Sequence, residues 1–210
     1  MGIAERRERQ KAEIRELILD AAREIVGKEG LEGLTIRKIA DAIEYAPGTI
    51  YLHFENRDAI ARELVVSGFM ELVGYMAPAA QESDPLKRLD AIGYAYAKFG
   101  IERPETYRTI FLQPPAISSA LMELLKGEGE GTDDGRGPGE QAFNILAETV
   151  AELIDRGIFR PGNPVVIAET IWAWLHGIVA LRVSCSEEML TDFSASIHYA
   201  IEGVRRAFAR

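Results

Sequence analysis

The sequence TIRKIADAIEYAPGTIYLHF, from Thr35 to Phe54, holds two short helical patterns across a tight break. Ile36, Ile39, Ala40 and Ile43 recur at helical spacing and give the first helix one apolar face. Thr35 stands just ahead, where its hydroxyl can accept a hydrogen bond from an amide of the first turn. The periodicity fails at Glu44-Tyr45-Ala46 and resumes at Pro47, which suits a first helical position because its missing N–H has no partner there anyway. The second helix is expected over 47–52, with Ile50 inward and Thr49, Tyr51 and His53 turned elsewhere. Two short helices across such a turn make a helix-turn-helix, whose second helix enters the DNA major groove.

Outward from this core, 7–28 is read as a helix with Ile14, Leu17, Ile18, Ala21, Ala22 and Ile25 as its core-facing stripe. Gly30 ends it with a left-handed cap. Leu31 and Leu34 plug the connection, and Phe54 closes the small apolar centre. Asn56 or Glu55 caps a fourth helix over 57–77, which Pro78 is expected to stop. Its face of Ile60, Leu64, Val65, Phe69, Leu72 and Val73 is too long for the small domain alone. That helix is expected to start at the DNA and end in a second domain.

The pattern T-I-R-K-I-A-D-A…APGTIY-x-HF-x-N-R-x-A-I resembles the DNA-binding signature of the tetracycline-repressor (TetR) family of bacterial regulators. The match is close over 14–64 and lies only in layout beyond. Two positions depart from the family pattern: Glu44 stands where glycine is usual, and Ala46 where Ser or Thr caps the second helix. Glu44 is therefore expected in a left-handed conformation, and the cap loss costs about 1 kcal/mol. The resemblance implies operator DNA, a small-molecule effector and a second copy of the chain as partners.

Composition sets further bounds. The 210 residues allow one large or two small domains, so 1–56 is read as the DNA-binding domain and 57–210 as a ligand-binding and dimerisation domain. The net charge of −9 is unusual for a DNA binder. It is unevenly spread: residues 1–62 hold eleven Lys and Arg against twelve Asp and Glu, and the remainder thirteen against twenty-one. Arg6, Arg7, Arg9, Arg37, Lys38 and Arg57 leave room for a local basic face. The charged start does not resemble a signal peptide, and no run of about twenty apolar residues is read as a membrane span. A lone Cys185 fits a reducing cytoplasm.

Past the fourth helix the pattern stays helical and without strands, so the fold class is all-α. Helices are expected from Pro85 to Ile101, from Pro104 to Phe111, over 117–126, over 140–156, over 165–183 and over 187–208. Pro114-Pro115 breaks the second of these. The Gly-rich stretch 127–139 lacks the Gly-Lys-Ser/Thr ending of a phosphate loop and is read as a surface linker.

The reactive side chains give no enzyme. His53, His176 and His198 lie far apart, Cys185 has no adjacent His, and no Gly-x-Ser-x-Gly elbow occurs. Acidic pairs such as Glu187-Glu188 sit in polar stretches, and no metal or cofactor is implied.

The helix-turn-helix positions differ. Tyr51 and His53 can donate to backbone phosphates, while Tyr45 and Thr49 can meet base edges or thymine methyls. Arg57 opens the fourth helix beside its amides, and Arg37 is a second phosphate contact. Thr35, Pro47 and Gly48 complete the DNA-facing set. Arg6, Arg7 and Arg9 are read as a solvated tail, with a minor-groove arm as the alternative.

In the second domain, Trp172 and His176 share one helical face and with Gly177 resemble the Trp…His-Gly signature of a TetR subgroup. The plainer reading is a buried Trp beside a His bonded to a backbone carbonyl. Tyr94, Tyr96, Phe99, Tyr107, Phe111, Met122 and Trp174, with Trp172 and His176, are expected to line an apolar effector cavity. Ile171, Leu175, Ile178 and Leu181, with Phe193, Ile197, Ile201 and Val204, are read as an exposed dimerisation stripe, the plainer reading being that both rows face the domain's own core. The expected function is a ligand-responsive, homodimeric repressor. The alternative is a helical small-molecule carrier or interaction module that binds no DNA.

Overall fold

A computed structural model describes residues 2–113, 137–185 and 192–210. The described residues form α1 (Ile3–Glu29), a 3-10 turn (Leu31–Gly33), α2 (Ile36–Ala42), α3 (Pro47–Tyr51), α4 (Arg57–Ala80), α5 (Pro85–Glu102), α6 (Pro104–Phe111), α7 (Pro138–Asp155), α8 (Pro164–Ser184) and α9 (Phe193–Phe208). The fold is all-α. Local chemistry explains most of the starts. Side-chain oxygens of Thr35, Asn56, Asp84, Asn163 and Asp192 accept first-turn amides of α2, α4, α5, α8 and α9. Proline opens α3, α5, α7 and α8, where no N–H is needed. The helix expected over 117–126, the Pro114-Pro115 break and most of the 127–139 linker lie outside the described residues.

The chain divides into two compact units, Met1–Gly68 with Glu105–Gly127, and Phe69–Pro104 with Glu128–Arg210. In the first, Ile18, Leu19, Ala22 and Val26 of α1 meet Leu31, Leu34, Ile39, Ala40, Ile50, Phe54, Ile60 and Leu64, all buried. The α1 stripe is thus rotated from the expected one. Leu17 is exposed, and Leu19 and Val26 take its place inside. The reason is Arg15, which stands on the packed arc of α1. Its guanidinium lies 4.2 Å above the Phe54 ring and pairs with Glu63 of α4. An apolar count cannot see an inward face that runs through an arginine.

Two helix ends also differ from expectation. The first helix starts at Ile3, so Arg6, Arg7 and Arg9 are helical rather than a tail or an extended arm. Pro78 does not stop α4 but sits in its last turn. Only the bond its N–H would make to the preceding turn is lost there, and the helix ends two residues later. At Gly68 a Cβ would come within 2.7 Å of Ile110 Cγ2, so only glycine lets α4 approach α6 this closely.

In the second unit, α5, α7, α8 and α9 pack around Leu89, Ile92, Phe99, Val150, Leu153, Ile171, Leu175, Ile197 and Ile201. Arg88 joins α5 to α7: its Nε donates to Thr149 Oγ1 (3.1 Å), and the side chain pairs with Glu152. Arg205 of α9 pairs with Asp90 of α5. The chain end is held by an antiparallel bridge, with Arg160 N donating to Phe208 O (2.9 Å) and Arg210 N to Ile158 O (3.1 Å). Contrary to the sequence expectation, α8 is long and apolar enough to cross a membrane by length and composition, with a mean hydropathy of 1.5. It nevertheless packs against α5, α7 and α9 along one side.

Candidate nucleic-acid interface

The short α3 is held from beneath by a single side chain, Ile50, which is fully buried. Its start is bare: Ala46 offers no capping oxygen, and Thr49 N bonds back to Ala46 O (2.8 Å). Phe54 N closes the other end onto Ile50 O (2.9 Å). In the turn before it, Glu44 has φ 58°, the one positive φ at a non-glycine among the described residues. This is the strained geometry expected from the missing glycine. Tyr45 N then reaches Ala40 O (3.0 Å), so the turn is closed despite the strain.

This geometry turns one row of side chains outward. Tyr45 and Tyr51 are exposed by 42% and 57%, and Thr49 is half-buried between them. Thr35, Arg37, Pro47, Gly48 and Arg57 are exposed. Leu52 is exposed by 76%, more than any other large apolar side chain described, and the sequence pattern gave it no role. Its only signal was a leucine next to Tyr51 with no apolar partner at helical spacing.

The charges on this face are only loosely tied. Arg57 Nε donates to Asp58 Oδ1 at 3.0 Å, an exposed pair that a phosphate can replace at little cost. Lys38 pairs with Glu29, while Arg37 has no ion-pair partner among the described residues. Burial, with the nearby charges of Lys11 and Arg15, lowers the pKa of His53 below its usual 6.5. His53 is therefore neutral at pH 7, an N–H donor rather than a cation.

Comparison with known proteins agrees with this geometry. Residues 18–64 match the description "Bacterial regulatory proteins, tetR family", and residues 89–204 match "Tetracyclin repressor-like, C-terminal domain". The chain belongs to the TetR family. The HTH-type transcriptional regulator YobS of Bacillus subtilis is 30% identical over 185 residues, covering 88% of this chain and 87% of its own. The HTH-type transcriptional repressor KstR2 of Rhodococcus jostii is 26% identical over 169 residues, 71% and 81% of the two chains. Among solved structures, the TetR family regulator PfmR of Thermus thermophilus superposes with a TM-score of 0.67 at 16% identity, over 92% of this chain and 99% of that one.

The expected effector residues of this TetR-family chain are divided between its two compact units. Tyr94 is an exposed residue of α5 whose hydroxyl meets His198 Nδ1 at 3.1 Å. Tyr107 and Phe111 stack at 5.0 Å within the first unit, whereas Phe99 is buried against Tyr75 in the second. Met122 lies outside the described residues. Trp172 and His176 do meet, with ring centroids 5.2 Å apart, and a third residue joins them. Trp172 Nε1 donates to Tyr96 Oη (3.2 Å), and Tyr96 Oη lies 2.9 Å from His176 Nδ1. An indole N–H only donates, so Tyr96 Oη accepts from Trp172, and the direction of its bond with His176 Nδ1 follows the imidazole tautomer. Among the described residues, His176 Nδ1 thus meets a tyrosine hydroxyl.

Burial lowers the pKa of His176 below 6.5. With both His53 and His176 depressed, the unfolded chain takes up protons first as pH falls. Their contribution to stability is full above pH 6.5 and declines below it. Urea unfolding of His176→Gln is expected to show a shallower loss of stability between pH 6.5 and about 5 than the parent.

The dimerisation stripe needs a larger correction. Ile171, Leu175, Ile197 and Ile201 are buried in the unit's own core. Ile178 and Phe193 are half-buried. Of the expected stripe Leu181 is uncovered, and with it Val165, Val166 and Trp174 of α8 and Tyr199 of α9. Trp174, Ile178 and Leu181 line an open groove with Ser196, Tyr199 and Ala200. Because α8 is apolar on both sides, apolar content alone could not separate its core face from its uncovered face.

Proposed function

We propose that this TetR-family regulator is a cytoplasmic repressor that binds a palindromic operator as a homodimer and is released by a small, largely apolar effector. The observation that carries the reading is α3: one buried anchor beneath, and Tyr45, Thr49 and Tyr51 turned outward from a unit with its own core. In this reading residues 1–56 hold the DNA-binding function, and 57–210 sense the effector and dimerise. The repressor name of KstR2 supports the direction of control.

Thr49 and Tyr45 read base edges, with Pro47 and Gly48 bringing the α3 backbone close to the groove wall. Tyr51, His53, Arg37 and Arg57 hold phosphates, and Thr35 keeps its own side chain on the α2 amides. The effector meets the Trp172–Tyr96–His176 relay, where a buried polar group among apolar walls orients a mostly apolar ligand. The Trp…His-Gly subgroup fits that use. Phe99 adds apolar wall, and α6 with Tyr107 and Phe111 belongs to the compact unit that holds α3. Binding shifts the population toward an arrangement in which α4, which runs through both units, no longer presents the two α3 helices at operator spacing.

The uncovered face of α8 and α9 is the dimer contact. Small residues Ala173, Gly177, Ala200 and Gly203 let helices of two copies approach closely, with Trp174, Leu181 and Tyr199 as the anchors. A Cβ on Gly177 would meet only open space, so the position is free to take a partner's side chain. Facing pairs of helices give an isologous four-helix contact.

Operator titrations of Tyr51→Phe and Arg57→Ala test the contact residues. Both are expected to bind about ten-fold more weakly, which corresponds to loss of one charge-assisted or phosphate hydrogen bond. Arg57→Ala should also reduce the salt slope by about one per half-site. Unchanged affinity in both variants would remove α3 and the start of α4 from the DNA contact.

A further inference from the structure

Arg15 fixes the direction of α1, through its place above Phe54 and its pair with Glu63. Toward the N-terminus, Lys11 and Arg7 follow at four and eight residues, on the same side of the helix as Arg15. From Glu5 to Glu13 every residue is exposed, so these turns stand clear of the packed core. A helix that is polar all round and packed on nothing needs another reason to be present.

The charges on it are sorted by side. Arg9 pairs with Glu13 at 3.7 Å, and Glu5 accepts from Gly2 N at 2.9 Å. Arg7 and Lys11 make no hydrogen bond or ion pair among the described residues. Lys11 and Arg15 are also the two cations whose fields reach His53 at the end of α3. The unspent basic stripe therefore continues from the edge of the recognition helix.

We propose that Arg7 and Lys11 of α1 form a second phosphate contact, on the backbone of duplex DNA flanking the stretch that α3 reads. The inference rests on the regulator reading above and extends its footprint. The two side chains are about 6 Å apart along the axis, four residues at about 1.5 Å each. Phosphates of one strand advance about 3.4 Å each, so the pair spans two of them. Arg6 lies beside the stripe and joins it less directly. Glu8 borders its other edge and opposes it.

The test compares wild type, Arg7→Gln/Lys11→Gln, Glu8→Gln and Arg57→Ala on duplexes carrying the palindrome selected by the wild-type protein. One duplex ends at the palindrome, and the other extends ten base pairs on each side. Circular dichroism checks that helix content is kept, as expected for fully exposed positions. Wild type should bind the longer duplex more tightly, and the double variant should bind both alike. With two phosphate contacts gone per half-site, the salt slope should fall by about 1.8 per half-site. The loss of affinity between 50 and 200 mM salt should then be about twelve-fold smaller per half-site. Glu8→Gln should strengthen binding to the longer duplex only. If the double variant keeps the wild-type slope and length preference while Arg57→Ala still weakens binding, this contact is wrong and the regulator reading stands. If wild type selects no duplex at all, both fall together.

Discussion

Leu181→Glu combined with Tyr199→Glu is expected to leave the protein monomeric and to weaken operator binding by about 10²-fold or more. Leu181 is exposed by 47% and Tyr199 by 70%, so neither replacement disturbs the chain's own core. In a dimer the two charges of each copy would meet like charges in a desolvated contact, where unpaired burial is strongly unfavourable. A monomer carries one α3, and losing the second half-site removes the effective-concentration advantage of binding both. Sedimentation gives the mass and operator titration gives the affinity. A dimer that persists at micromolar concentration in the double variant would move the interface away from α8 and α9.

The turn before α3 carries the second large effect. Glu44→Gly with Ala46→Ser is expected to stabilise the protein by about 1.5 kcal/mol. A non-glycine residue at φ 58° costs about 1–2 kcal/mol, of which glycine's greater unfolded-state freedom takes back about 0.5–1. A serine at the cap of α3 adds about 1 kcal/mol by accepting an amide that now has no side-chain partner. The positions are two residues apart, so the gains need not add fully. Operator affinity should also rise, because the variant removes a carboxylate from the face that meets phosphates and steadies a five-residue helix. Unfolding in urea reads the first effect and titration with operator the second. A stability below that of the parent would mean that Glu44 makes a favourable contact that outweighs its strain.

Much of the DNA-binding unit could be read from the sequence because its signals are local. Thr35 caps, Pro47 opens, Ile39 and Ile50 point inward, and each of these is decided within four or five residues. Glu44 shows the same from the other side: a missing glycine in a tight turn leaves few backbone conformations. The misreadings arose where the deciding partner is distant in sequence. Arg15 lies inward because Phe54 and Glu63 receive it, and nothing near Arg15 announces them. Tyr96 joins Trp172 and His176 across 76 and 80 residues of chain. Tyr94 meets His198 at the surface, 104 residues away. On α8 the core face of Ile171 and Leu175 and the uncovered face of Trp174 and Leu181 are equally apolar. Only packing against α5, α7 and α9 chooses between them.

The central claim to test is that α3 reads DNA. The direct test is selection of randomised duplex DNA by the purified protein at two salt concentrations, with the Tyr51→Phe/Arg57→Ala double variant alongside. Wild type is expected to enrich a palindrome, higher salt to weaken the enrichment, and the double variant to recover little of it. No enriched palindrome at either salt, with the double variant indistinguishable from wild type, would contradict it.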